Sequence, residues 1–162
     1  INSFGAVYKE HWFKMMRKKL GLFGKETEDE TLITTLLSWM HQNKADYTNT
    51  FCSLINEKTL KNKLFQDGIF INWHKRWQKR LTKNKKSIEL SLSLMRTANP
   101  QTIPRNHKVE EALDAASIKD DLIPLINLLK VLGKPYNERS GITAYQTLPP
   151  SSDRVYQTFC GT

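Results

Sequence analysis

Two prolines four residues apart, Pro100 and Pro104, constrain this chain more than any other feature. Proline lacks the N–H a helix needs, and it biases the residue before it, here Asn99 and Ile103, toward extended backbone. About half a dozen residues must therefore run without helix. The sequence on both sides has helical spacing, so Asn99–Ala116, NPQTIPRNHKVEEALDAA, reads as a punctuated join between two helical halves. Asn106 is the predicted cap of the second half, through its side-chain oxygen. Val109, Ala112, Leu113 and Ala116 follow on one face, and Glu110 and Glu111 are placed in the first turn, where the helix dipole favours negative charge. Arg105, Asn106 and His107 sit at the corner.

Before the join, apolar residues recur at helical spacing. Tyr8 to Leu20 carries a stripe of Tyr8, Trp12, Met15 and Met16, has its cations in the last turns, and meets Gly21 as the residue just past its end. Thr27 and Glu30 have the spacing of a capping box, opening a helix with Leu32, Ile33, Leu36, Leu37 and Met40 inward. Asp46 is the predicted cap of the next helix, with Tyr47, Phe51, Leu54 and Ile55 buried. Cys52 beside them reads as a small buried residue rather than a reactive thiol. Asp67-Gly68 marks a turn or cap. From Ile69 to Leu81 the face is Ile69, Phe70, Trp73, Trp77 and Leu81, with His74, Lys75, Arg76, Lys79 and Arg80 around the rest. Ser87 opens a helix with Ile88, Leu92 and Met95 inward.

After the join, Asp121 is the predicted cap of a helix whose third residue is Pro124, where a missing N–H costs nothing. Its face is Leu122, Leu125, Ile126, Leu129 and Leu132, and Gly133 ends it. Beyond Pro135 the chain reads as irregular, with Tyr136, Tyr145 and Leu148 available to pin it to the body. No run alternates as a strand would. The expected fold class is all-α, about seven helices packed as an irregular bundle with an extended C-terminal tail. Residues 1–135 form the helical domain and 136–162 the tail that bears Cys160. The expected core centres on Trp12, Leu36, Phe51, Trp73, Trp77 and Leu125.

With 162 residues, 39% of them hydrophobic, the chain can bury a core of its own. No apolar run approaches the roughly 20 residues of a membrane span. No secretory signal is present, and Ile1-Asn2-Ser3 reads as the cut edge of a longer protein; a cytoplasmic location is expected. The two cysteines form no CxxC pair and no metal spacing with the four histidines, so a reducing compartment is the default. The net charge of +9 fits a solvated basic surface or an acidic neighbouring domain. The alternative is a basic helical module that binds nucleic acid, with Trp73 and Trp77 interleaved among cations as in single-strand binders.

Enzymatic patterns are missing. The seven glycines are scattered, with no phosphate-binding loop, and neither HExxH nor a nucleophile elbow occurs. Asp120-Asp121 and Glu110-Glu111 read as helix-start carboxylates. His11, His41, His74 and His107 are far apart. No catalytic, cofactor-binding or metal-ligating residue is expected in this chain. Cys160 differs: two residues from the end, beside Gly161, it has no evident packing role, and a thiol on such a tail can reach a partner thiol and form a reversible disulfide.

An ordered set of short segments then points to a known family. MRKKLGLF (Met16 to Phe23), ADYTNTF (Ala45 to Phe51), the NP…RN join (Asn99-Pro100, Arg105-Asn106), Pro135-Tyr136, Tyr145 with Pro149-Pro150, and a cysteine third from the end resemble the C-terminal portion of selenoprotein O and its bacterial homologues. No single piece is specific; their order and spacing are. The resemblance implies a parent with a protein-kinase-like fold that transfers AMP from ATP to protein hydroxyls. Its ATP and Mg would be held in a kinase-like core upstream, and its partners would be that core and the parent's protein substrates, with no membrane. It also implies that Cys160 pairs with a cysteine of that core and tunes activity. The ending Cys-Gly-Thr, and Ser151-Ser152 after the proline pair, depart from the family pattern. If the helical body packs on such a core, part of its surface here is an exposed former interface that could make it sticky or dimeric.

Overall fold

The computed structural model describes residues 4–56, 59–138 and 140–149. These residues form eight α-helices and two short 3₁₀ turns, with no strand among them. The helices are α1 (Phe4–Lys19), α2 (Asp29–Gln42), α3 (Tyr47–Ile55), α4 (Gly68–Thr82), α5 (Ile88–Ala98), α6 (Asn106–Ile118), α7 (Ile123–Leu132) and the one-turn α8 (Thr143–Gln146). The turns Thr59–Lys61 and Lys63–Gln66 link α3 to α4. The all-α expectation holds, with seven helices longer than a single turn.

The core lies among α1–α5. Met16, Leu20, Ile33, Leu36, Trp39, Phe51, Leu54, Trp73 and Met95 are all but fully buried in it. Each such side chain contributes about 1.5–3 kcal/mol relative to exposure. Three indoles stay satisfied while buried, because each N–H finds an acceptor. Trp73 Nε1 donates to the Leu32 carbonyl at 2.8 Å, Trp77 Nε1 to the Leu20 carbonyl at 2.9 Å, and Trp39 Nε1 to Asp67 Oδ2 at 2.8 Å. Trp73 and Trp77 lie with ring centroids 6.0 Å apart and an interplanar angle of 5°. Of the six expected core centres, Leu36, Phe51, Trp73 and Trp77 are buried; Trp12 is only half-buried against the cluster and Leu125 lies outside it.

Local signals set several helix ends. Asp46, Asp67 and Ser87 each accept the backbone N–H three residues on, from Asn49, Phe70 and Leu90. Gly21 ends α1 in the left-handed region at φ 68°, and the Leu22 N–H donates to the Arg17 carbonyl at 2.9 Å. Gly21 is required twice over: a Cβ there would come within 2.8 Å of the Ser91 carbonyl oxygen and 3.0 Å of Met95 Cγ.

Other expectations fail for nameable reasons. The Thr27–Glu30 capping box does not form. Asp29 turns inward, accepting the Glu26 N–H at 3.0 Å and pairing with buried Arg80, while Glu30 pairs with Lys9 at 2.9 Å. Asn106 is not a cap but the first residue of α6; Arg105 stands before it, and its guanidinium is engaged elsewhere. Glu110 and Glu111 consequently fall beyond the first turn, with Glu111 paired to Lys108 at 2.7 Å. Asp121 accepts the Ile123 N–H at 2.9 Å from one residue before the cap position, and Pro124 is the second helical residue. Tyr8, Met15, Tyr47, Ile69 and Ile88 are exposed, whereas Met16, Phe51, Phe70 and Met95 of the same expected faces are buried. On α7 the burial is reversed: Leu128 is inside, while Leu122, Ile126 and Leu129 are exposed.

Candidate functional site: a buried polar joint

The extended stretch demanded by Pro100 and Pro104 becomes the hub of the molecule's second half. Its backbone is tied at the far side by the Pro135 carbonyl, which accepts the N–H of Gln101 at 2.6 Å and of Thr102 at 3.2 Å. Asn99, buried at the end of α5, donates through Nδ2 to the carbonyls of Lys19 (2.8 Å) and Met95 (3.0 Å). Lys19 reaches back, donating to the Ala98 carbonyl at 3.1 Å and Asn99 Oδ1 at 3.3 Å. Its ammonium also lies 5.5 Å from the Tyr47 ring centroid and 5.3 Å from that of Phe51. Burial holds the Lys19 pKa below its ordinary value, against an opposing pull from Cys52.

Arg105 makes the second tie. Its Nη1 donates to Asp46 Oδ2 at 3.0 Å and its Nη2 to Asp46 Oδ1 at 2.9 Å, the paired geometry a guanidinium makes with a carboxylate. Nη2 also reaches Asn49 Oδ1 at 3.2 Å. Burial alone would raise the Asp46 pKa, but the Arg105 hydrogen bonds and charge, with the Asn49 N–H, hold it below the usual carboxylate value. Arg105 Nε and Nε2 of the buried His107 have no partner among the described residues. Asn106 between them is exposed.

Beside this joint lies a cleft of about 340 Å³ lined by Asn49, Cys52, Ser53, Gln101, Glu138, Ile142 and Gln146, among others. Amides hold its walls together: Asn49 Nδ2 donates to the Gln146 carbonyl at 3.0 Å, and Gln146 Nε2 to the Gln101 carbonyl at 2.9 Å. Cys52 donates its S–H to the Pro100 carbonyl at 3.3 Å. Burial pushes its thiol up to about 11, a value that Lys19 partly opposes. At neutral pH Cys52 is a protonated thiol, and the thiolate is the reactive form.

The groups gathered here therefore position helices. Asp46 is paired with Arg105, Asp29 in the body is paired with Arg80, and Glu138 is a further carboxylate of the cleft wall. Among the described residues no three His, Cys, Asp or Glu side chains converge as a metal site. The tryptophans of α4 are turned into the core, and Arg80, read as part of a solvated cationic face, is buried with them. That leaves Lys75, Arg76 and Lys79 exposed, without an aromatic platform from Trp73 or Trp77. Cys160 and Ser151-Ser152 lie outside the described residues. The sequence pointed to the corner but not to Asp46 as the partner of Arg105, because 59 residues separate them. No helix of the described residues is long and apolar enough to cross a membrane.

Comparison with known proteins agrees with the family resemblance. The family model described as protein adenylyltransferase SelO matches residues 1–133. Over all 162 residues the chain is 49% identical to the protein nucleotidyltransferase YdiU of Alcanivorax borkumensis, covering 34% of that protein. It is 48% identical to the protein of the same name from Nitrosococcus oceani and 43% to that from Bacillus cytotoxicus, covering 33% of each. The chain thus spans about a third of the length of these relatives, and the match to each covers all of this chain. With more than half of its residues matched by the family model, this chain belongs to the SelO protein adenylyltransferase family.

Proposed function

We propose that this chain is the helical C-terminal body of a protein adenylyltransferase, an enzyme that moves AMP from ATP to protein hydroxyls. The observation that carries the reading is the end-to-end match, at 49% identity, to a third of a protein named as a nucleotidyltransferase. ATP and Mg would be held by the kinase-like core that precedes this body in the parent, and protein substrates would dock on the parent as a whole. The body's own part is to support the core and, through Cys160, to regulate it.

In the regulatory step Cys160 exchanges with a disulfide reagent such as oxidised glutathione, and a core thiol then displaces the glutathione. Two thiols lose two protons and two electrons in total, and the reagent leaves as two thiols. Restrained in this way, the tail would hold the loop near the active site, and reduction would free it.

The test is AMP transfer from labelled ATP by the full-length parent, with and without reductant, in the native form and as Cys160→Ser. Transfer by the native form that responds to reductant, with no response in the variant, is expected. Absence of AMP transfer would reject the enzyme reading. An unchanged redox response in Cys160→Ser would reject the regulatory one. The nucleic-acid alternative predicts binding by the chain alone that weakens steeply with salt.

A further inference from the structure

Helix α7 is apolar around most of its circumference. Of its ten residues, IPLINLLKVL, only Asn127 and Lys130 are polar. A helix apolar around most of its circumference is characteristic of one covered on more than one side. Among the described residues Leu128 is the one residue of α7 that is buried. Leu122, Ile126 and Leu129, spaced four and three residues apart, fall in one line along α7 and its entry residue, and they are 53%, 55% and 60% exposed. Ile123 flanks that line at 66% exposure, and Leu113 and Ile118 of the adjoining α6 are exposed as well. A soluble surface rarely leaves such a line bare without a partner.

We propose that the outer face of α7 is the docking surface for the polypeptide preceding Ile1 in the longer parent, the segment that makes up most of the relatives' remaining length. This rests on the reading of the chain as part of that parent. Two observations select this occupant. The relatives matched across every residue of this chain are about three times as long, so enough homologous polypeptide exists to cover a helix face. The chain also carries a net charge of +9, which repels a second copy and favours a partner of opposite charge.

The test compares the 162-residue chain with the full-length parent, each in native form and as the double variant Ile126→Lys, Leu129→Lys. In the chain alone both positions face solvent, so the thermal midpoint should move by no more than about 2 °C. In the full-length native parent, backbone amides of residues 123–132 should exchange about tenfold or more slowly than in the chain alone, the scale of one buried leucine-sized contact. The double variant should erase that extra protection. Equal exchange in the native parent and the chain would overturn the proposal. So would a large loss of stability in the double variant of the chain alone, because α7 would then be covered already, by residues 150–162 or by a second copy. The outcome is independent of the enzyme reading: a parent that fails to transfer AMP can still protect α7, and one that transfers AMP can leave it bare.

Discussion

Asp29 with Arg80 in the body, and Asp46 with Arg105 at the joint, are the same two residue types joined across similar stretches of chain, 51 and 59 residues. They are used differently. Arg80 and Asp29 are each 2% exposed, and the arginine satisfies all three nitrogens: Nε to Asp29 Oδ1 at 2.6 Å, Nη1 to Asn84 Oδ1 at 2.9 Å, Nη2 to the Phe23 carbonyl at 3.2 Å. Asn84 completes the network, accepting the Phe23 N–H at 3.0 Å and donating to the Gly21 carbonyl and Ser91 Oγ at 2.9 Å each. This cluster fastens the loop after α1 to α2, α4 and α5. The Asp46–Arg105 pair lies nearer the surface and leaves Arg105 Nε without a partner. A closed network fixes one packing of a core; an open pair at a rim orients one helix against another.

The contrast breaks most sharply at Arg80. Arg80→Met should destabilise the chain by about 3–5 kcal/mol in urea titration, because Asp29 is left charged and unpaired in the core. Replacing both partners, as Asp29→Leu with Arg80→Met, should recover much of that loss; failure to recover would mean the network's hydrogen bonds matter more than its charge balance. Gly21→Ala strikes the same network from the side. It forces a left-handed alanine against the Ser91 carbonyl and should cost about 1–3 kcal/mol. Arg105→Met should cost less, about 1.5 kcal/mol, since Asp46 is partly exposed and keeps the Asn49 N–H.

The smallest effect is a convergence with pH. The Asp46 pKa is lowered on folding, so the folded state binds fewer protons there than the unfolded one. The stability its pairing contributes is complete above the unfolded carboxylate value, about 3.9, and is lost as pH falls through the lower folded value. The gap in urea midpoint between the native chain and Arg105→Met should therefore narrow below about pH 4. A gap that stays constant through that range would assign the Arg105 effect to packing.

The sequence carried the helices because their apolar periods are local, and it carried the caps at Asp46, Asp67 and Ser87 because a cap is decided within three residues. It misled at Thr27–Glu30 and at Asn106 for one physical reason. In each case a neighbouring side chain, Asp29 or Arg105, is claimed by a distant partner, and the helix start shifts to suit. Arg80 read as a solvated cation because nothing near it in sequence reveals Asp29. The outward side of α7 was legible as apolar but not as exposed, since periodicity shows which residues share a face and not what covers it.

The packing of the indoles has a spectroscopic consequence. All four tryptophans, Trp12, Trp39, Trp73 and Trp77, precede the join, and none lies in α5, α6, α7 or α8. Tryptophan emission, excited selectively, therefore reports on the α1–α4 core and is blind to the helices beyond it, whereas circular dichroism at 222 nm sees every helix. If the joint welds the two parts into one cooperative unit, melting curves from the two signals superimpose. If α6 and α7 let go first, ellipticity falls while the emission spectrum still has its native maximum.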